Sequence, residues 1–201
     1  MHVAIPLYPR FTALDAVGPY TVLAFAPGWR VTFVAPEAGP VLDDQGTLSI
    51  TATASYADLP TPDVIIVPGG PGTMEALSDE PLLSWLRTAH EHSRWTTSVC
   101  SGSLILGAAG LLEGGRATSH WGIIDALRTY GCEPVRERVV TTGKVITAAG
   151  VSAGIDMALA FLAEATDEET AKTVQLAIEY DPQPPFAMDP SLAEKAMALI
   201  V

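Results

Sequence analysis

The chain has 201 residues, a length that fits one domain spanning 1–201, and 48% hydrophobic against 17% charged residues, the balance of a globular protein with a buried core. Its formal net charge of -12, from 11 Lys and Arg against 23 Asp and Glu, repels phosphate backbones and leaves no basic stripe, which argues against nucleic acid as a direct partner. The apolar stretches are strand-sized or amphipathic and Met1-His2-Val3-Ala4-Ile5 lacks the basic start of a signal peptide, so no membrane span is expected and a cytoplasmic location is.

Val3 to Leu7 reads as a first buried strand. Ala13 to Phe25 has helical spacing, but Pro19 lies inside it, and proline is best tolerated in a first turn. The regular helix is therefore expected to begin near Asp15 or Ala16. Arg30 to Ala35, β-branched and aromatic, is a second strand, and Gly46 to Ser55 alternates weakly enough to suggest a small ribbon. Asp63 to Val67 is the clearest buried strand and runs into Pro68-Gly69-Gly70-Pro71-Gly72, where no regular element continues. Ser78 is placed to cap a helix reaching His92, with Leu82, Leu83 and Leu86 inward.

Trp95 to Val99 is a strand, and Gly102 to Leu111 a small-residue helix closed by Gly110. Gly122 to Tyr130 reads as a helix ended by Gly131, Arg138 to Ala148 as a hairpin around Thr142-Gly143, and Val151 to Ala163 as an apolar helix. Thr166 and Glu169 have the spacing of a capping box for a further helix to Tyr180, in which the acidic run Asp167-Glu168-Glu169 suits the positive end of the dipole. Asp181 to Pro185 breaks that helix, and a last one fills the C-terminus. Strands alternating with helices predict an α/β fold of three layers, with a mostly parallel central sheet and helices on both faces. In such sheets, sites gather where strands end at their carboxyl side, here after Leu7, Val67 and Val99.

The strongest chemical signal is Ser98-Val99-Cys100-Ser101-Gly102. A strand, a cysteine and a small-residue helix in immediate succession form a cysteine version of the nucleophile elbow, which lifts a side chain above the sheet. The helix start is expected to lower the thiol pKa. The plainer alternative is a buried cysteine acting as a small hydrophobe. Gly69-Gly70 follows the neighbouring strand, and the amides of Gly70 and Ser101 together would make a two-donor anion hole; the alternative is an ordinary glycine turn. Pro71 would line the same corner.

Asp15 sits among apolar neighbours, where it either caps a helix, the simpler reading, or carries a proton in a pocket that raises its pKa. His120, followed by Trp121, is either the partner base of a Cys-His pair or a half-buried structural histidine. Cys132 follows a glycine cap and reads as structural. The remaining histidines, His2, His90 and His92, have no metal-ligand spacing, and no metal or cofactor is called for.

Asp15 with Gly18-Pro19, Pro68-Gly69-Gly70, Val99-Cys100-Ser101-Gly102, Ala117-Thr118-Ser119-His120-Trp121, Ala149 to Asp156 and Asp181 to Phe186 together resemble the ThiJ/PfpI superfamily of glutamine-amidotransferase-like domains. The resemblance covers essentially the whole chain. Within the superfamily it is nearest to isonitrile hydratases and to the sensor-like N-terminal domains of AraC-type transcription regulators. It implies a flavodoxin-like sandwich and a homodimer. In the protease and many chaperone-like members the cysteine is followed by histidine and a glutamate stands near the first strand; Ser101 and Asp15 depart from that. They follow the hydratase pattern, with Ser101 where those enzymes commonly have threonine.

The implied activity is addition of water to a small isonitrile, giving an N-substituted formamide through a Cys100 thioimidate, with Asp15 moving protons and Ser101, Gly70, Pro71, His120 and Trp121 around the substrate. Two other classes stay open: a non-catalytic small-molecule or redox-sensing module, and another small-molecule cysteine enzyme, a hydrolase or a glyoxalase-like one. His120 paired with Cys100 would favour the last.

Overall fold

Short, wholly apolar runs become the inner strands, because only a strand covered on both faces can leave every side chain buried. In the computed structural model, which describes residues 1–200, the chain begins with β1 (His2–Pro6), α1 (Ala13–Ala24) and β2 (Arg30–Ala35). A ribbon of β3 (Gly39–Leu42) and β4 (Ser49–Ala52), a short β5 (Ala54–Ser55) and β6 (Val64–Val67) follow. Next come α2 (Thr73–Ala76), α3 (Glu80–His92), β7 (Trp95–Val99) and α4 (Gly102–Ala108). The remaining elements are β8 (Arg116–Ala117), β9 (Glu133–Pro134), the hairpin β10 (Val139–Thr142) and β11 (Val145–Ala148), then α5 (Ala153–Ala165), α6 (Glu168–Ala177) and α7 (Ala193–Met197).

The main sheet has seven strands in the order β10-β11-β7-β6-β1-β2-β5, parallel throughout except for the β10–β11 hairpin. Helices α1, α5 and α6 pack together on one side, and α2, α3 and α4 on the other. This is the three-layer α/β fold that the alternation of elements anticipated, with the flavodoxin-like arrangement that the resemblance implied. Register decides what meets at the sheet's carboxyl edge. Val67 of β6 lies opposite Ser98 of β7, and Val99 of β7 lies opposite Ala148 of β11. The turns after three neighbouring strands, at Gly69, Cys100 and Val151, therefore emerge side by side.

Several boundaries differ from expectation, each for a local reason. Helix α1 starts at Ala13 and carries Pro19 in its interior. Proline cannot donate to the carbonyl four residues back, but the helix is buried against α5, and packing outweighs that loss. Asp79, not Ser78, caps α3, accepting from the Leu82 amide at 3.2 Å. The Thr166 capping box does not form. The Thr166 hydroxyl donates to Leu162 at the end of α5, and Asp167 caps α6 by accepting from the Thr170 amide at 2.7 Å. Residues Ile124–Tyr130 are a 3₁₀ helix ended by Gly131 in the left-handed conformation. The C-terminal helix shrinks to a 3₁₀ turn, Pro190–Leu192, followed by the short α7.

Candidate active site

Cys100 occupies the turn between β7 and α4 with φ of 58°, a left-handed conformation that a residue with a Cβ adopts only when its surroundings impose it. The surroundings here do. Its amide is shared between the Ala148 and Ala149 carbonyls at 3.1 Å each, and its carbonyl accepts from Ser119 Oγ at 3.0 Å and Ser103 Oγ at 3.2 Å. Gly102 follows because a Cβ there would stand 2.2 Å from the Val67 carbonyl oxygen, so glycine alone lets α4 start this close to β6. Cys100 is 7% exposed, and its side chain lines a cavity of about 380 Å³.

Asp15 is not a helix cap. The α1 N-cap position belongs to Thr12, whose hydroxyl donates instead to Asp44. Asp15 lies in the first turn of α1 with no solvent exposure; one carboxyl oxygen accepts from the Gly69 amide at 2.9 Å and the other, Oδ1, has no hydrogen bond of ordinary geometry. It stands close enough to the Cys100 thiol for each group to perturb the other's ionisation. Burial pushes the Asp15 carboxyl up from 3.8 to about 7, with the Gly69 amide and the thiol offsetting part of that rise.

The thiol was expected to be acidified by the helix start, and the structure reverses that. Burial, reinforced by the Asp15 charge, pushes Cys100 up to about 12, although the Ser101 and Val151 amides and the Ser101 hydroxyl favour the thiolate. An α-helix of seven residues supplies too little opposing field to win in so dry a corner. At rest the sulfur therefore keeps its proton, with the Asp15 carboxyl beside it.

The expected anion hole is also rearranged. The Gly70 amide donates to Ser101 Oγ at 2.8 Å, so it is not free for a ligand; the amides turned toward the sulfur are those of Ser101 and Val151. Val151 has φ of 41° and comes from the loop after β11. Ser101 Oγ lies 2.7 Å from the Thr73 hydroxyl, which lies 3.1 Å from Tyr8 Oη. Tyr8 donates its own proton to the Pro68 carbonyl at 2.8 Å. Thr73 can then donate either to Tyr8 or to Ser101, and in the second case the Ser101 proton is left to the Gly70 carbonyl at 3.4 Å or to the sulfur. Tyr8, Thr73 and Val151 escaped the sequence reading. Val151 alone carried a signal, since it follows the strand that pairs with β7.

Gly70, Pro71, Ser101 and His120 all line the cavity with Cys100. His120 makes no hydrogen bond with the sulfur; its Nδ1 accepts from the Gly122 amide at 3.3 Å, and burial lowers its pKa. Trp121 is absent from this cavity. It is 37% exposed and lines a second cavity of about 410 Å³, which shares His120 and Val151 with the first. Among the described residues no three of His, Cys, Asp and Glu cluster as a metal site, and no helix is long and apolar enough to cross a membrane.

Residues 1–164 match the model of the DJ-1/PfpI family. The chain is 45% identical over 186 residues to isonitrile hydratase from Pseudomonas putida, spanning 92% of this chain and 81% of that protein. It is 32% identical over 148 residues to the HTH-type transcriptional regulator CdhR of Pseudomonas aeruginosa, spanning 73% of this chain but 43% of the regulator. A crystal structure of a ThiJ/PfpI family protein from Pseudomonas syringae superposes with a TM-score of 0.93 at 41% identity, covering 98% of this chain and 84% of that one. With its elbow cysteine, parallel sheet and these matches, the chain belongs to the DJ-1/PfpI family.

Proposed function

We propose that this protein is an enzyme that hydrates small isonitriles, R–NC, to N-substituted formamides, with Cys100 as nucleophile and Asp15 as the proton carrier. The observation that carries the reading is the fully buried Asp15 carboxyl beside the Cys100 thiol, its Oδ1 otherwise unpartnered, with Cys100 lining a cavity large enough for a small molecule. Similarity to the hydratase over most of both chains supports it.

In the first step the sulfur bonds to the terminal carbon while Asp15 takes the thiol proton and returns it to that same carbon, giving the thioimidate R–N=CH–S. Water then adds to the carbon, and Asp15 passes a water proton to nitrogen. Collapse of the adduct forms the C=O bond, breaks the C–S bond and gives the remaining proton back to sulfur. Each pass consumes one water and regenerates both side chains. A base with pKa near the working pH suits every transfer. Ser101, with its amide and hydroxyl, supports charge developing on sulfur. Histidine has no part in this scheme, which agrees with the Nδ1 of His120 being held by a backbone amide.

The test is formamide production from a panel of small isonitriles with Cys100→Ala as the blank. Activity lost in the variant supports the mechanism; an active alanine variant removes it. Similarity to part of a transcription regulator favours a sensing module as the second reading. A wild-type protein inert toward the whole panel would promote it. The proposal includes a cytoplasmic location and a homodimer; the exposed Phe186 and Met188 suit an interface, and light scattering tests the assembly.

A further inference from the structure

The mouth of the Cys100 cavity is completed by Met197 and Ile200, which come from the far end of the chain and lie outside the family-matched residues 1–164. Ala193, Ala196 and Met197 follow helical spacing and are half-buried, so α7 turns one small apolar face inward while Glu194 and Lys195 face water. Met197 is seated on a prepared surface. A Cβ on Gly122 would stand 2.3 Å from the Met197 sulfur, so the thioether packs directly over the Gly122 backbone. Gly122 in turn donates to His120, which ties this contact to the cavity wall.

A five-residue helix has no independent stability, and the segment before it, from Asp181 to Asp189, contains no helix or strand. Its position is therefore set by contacts with the cavity rim. Leu104, Ile123 and Met74 line the same cavity, whose exposed side also carries the Arg10–Glu75 ion pair at 3.7 Å. A molecule held by its reactive carbon at the sulfur shares this cavity with Met197, which offers apolar surface to its substituent.

We propose that Met197, supported by Ile200, is a specificity-determining residue that selects for an extended apolar substituent. The proposal rests on the isonitrile reading for its substrate but not for its geometry. Met197→Ala removes most of a half-buried apolar side chain, and in steady-state assays it raises KM for n-pentyl isocyanide about tenfold while kcat stays within about twofold. KM for methyl isocyanide, too short to reach the wall, changes by less than about twofold. Met197→Leu, similar in volume, restores wild-type behaviour.

An activity-independent arm separates this proposal from the hydratase reading. Alkylation of Cys100 by N-pentyl iodoacetamide is compared with alkylation by iodoacetamide, with the modified peptide identified by mass. The ratio of the two rates falls about fivefold or more in Met197→Ala and is kept in Met197→Leu. If no isonitrile turns over but the ratio falls, the selecting wall stands and the hydratase reading fails. An unchanged ratio, or KM values that rise together for both isonitriles, overturns the role of Met197.

Discussion

The cavity has two walls of opposite character. On one side, the turns at Gly69, Cys100 and Val151 are fixed by parallel strands, with Gly69 and Cys100 buried and Val151 half-buried. On the other, a five-residue helix holds its place through side chains, with Leu199 81% and Ile200 43% exposed. The contrast matches the two demands of catalysis. Proton transfer between a thiol and a carboxyl requires geometry held to a fraction of an ångström, and a strained φ at Cys100 persists only in such a frame. Admission of a substrate requires a part that can yield, and short segments at a chain end have the lowest local stability.

The largest expected effect tests the rigid wall at its buried acid. Asp15→Asn should lower kcat/KM by about 10²–10⁴ while Cys100 alkylation falls much less. In the wild type kcat/KM should rise with pH about tenfold per unit and level off above about pH 7, as the carboxyl becomes the base that the first step needs. The same group ties stability to pH. Its pKa is higher in the folded chain, about 7 against 3.8, so between those values the folded state binds more protons and stability falls as pH rises. The loss is on the order of 4 kcal/mol, and urea titrations across pH should show it in the wild type and not in Asp15→Asn.

A second break falls on packing. In Gly102→Ala the new methyl meets the Val67 carbonyl, and α4 must shift from β6 at a cost of about 3 kcal/mol in urea unfolding. Smaller is Thr73→Val. It removes the hydroxyl that can donate to Ser101 and should lower kcat/KM about tenfold, with Thr73→Ser restoring most of it. Smallest is Leu199→Ser on the yielding wall, which should change unfolding free energy by less than about 0.5 kcal/mol. A large loss there would erase the contrast between the two sides.

Short-range patterns were readable. Strands β2 and β7 and the β10–β11 hairpin stand where β-branched runs and a Thr-Gly turn placed them, because those preferences act between neighbours in the chain. The elbow was readable for the same reason, since strand, Cys100 and Gly102 are contiguous. Helix caps were misplaced by one residue at Ser78 and Thr166, where adjacent polar side chains compete and the winner depends on what else each can reach.

By itself, the sequence determined the layer order, the strand ends and the place of Cys100 at the turn between β7 and α4, all of which follow from periodicity and from residues adjacent in the chain. Only the tertiary structure decided that Asp15 is a buried acid and not a cap, that the Gly70 amide serves Ser101, and that Val151 and Met197 reach the cavity. The physical reason is common to all of these. Whether a carboxyl is dry, an amide engaged or a side chain in reach depends on partners tens of residues away, and strand register alone brings those partners together.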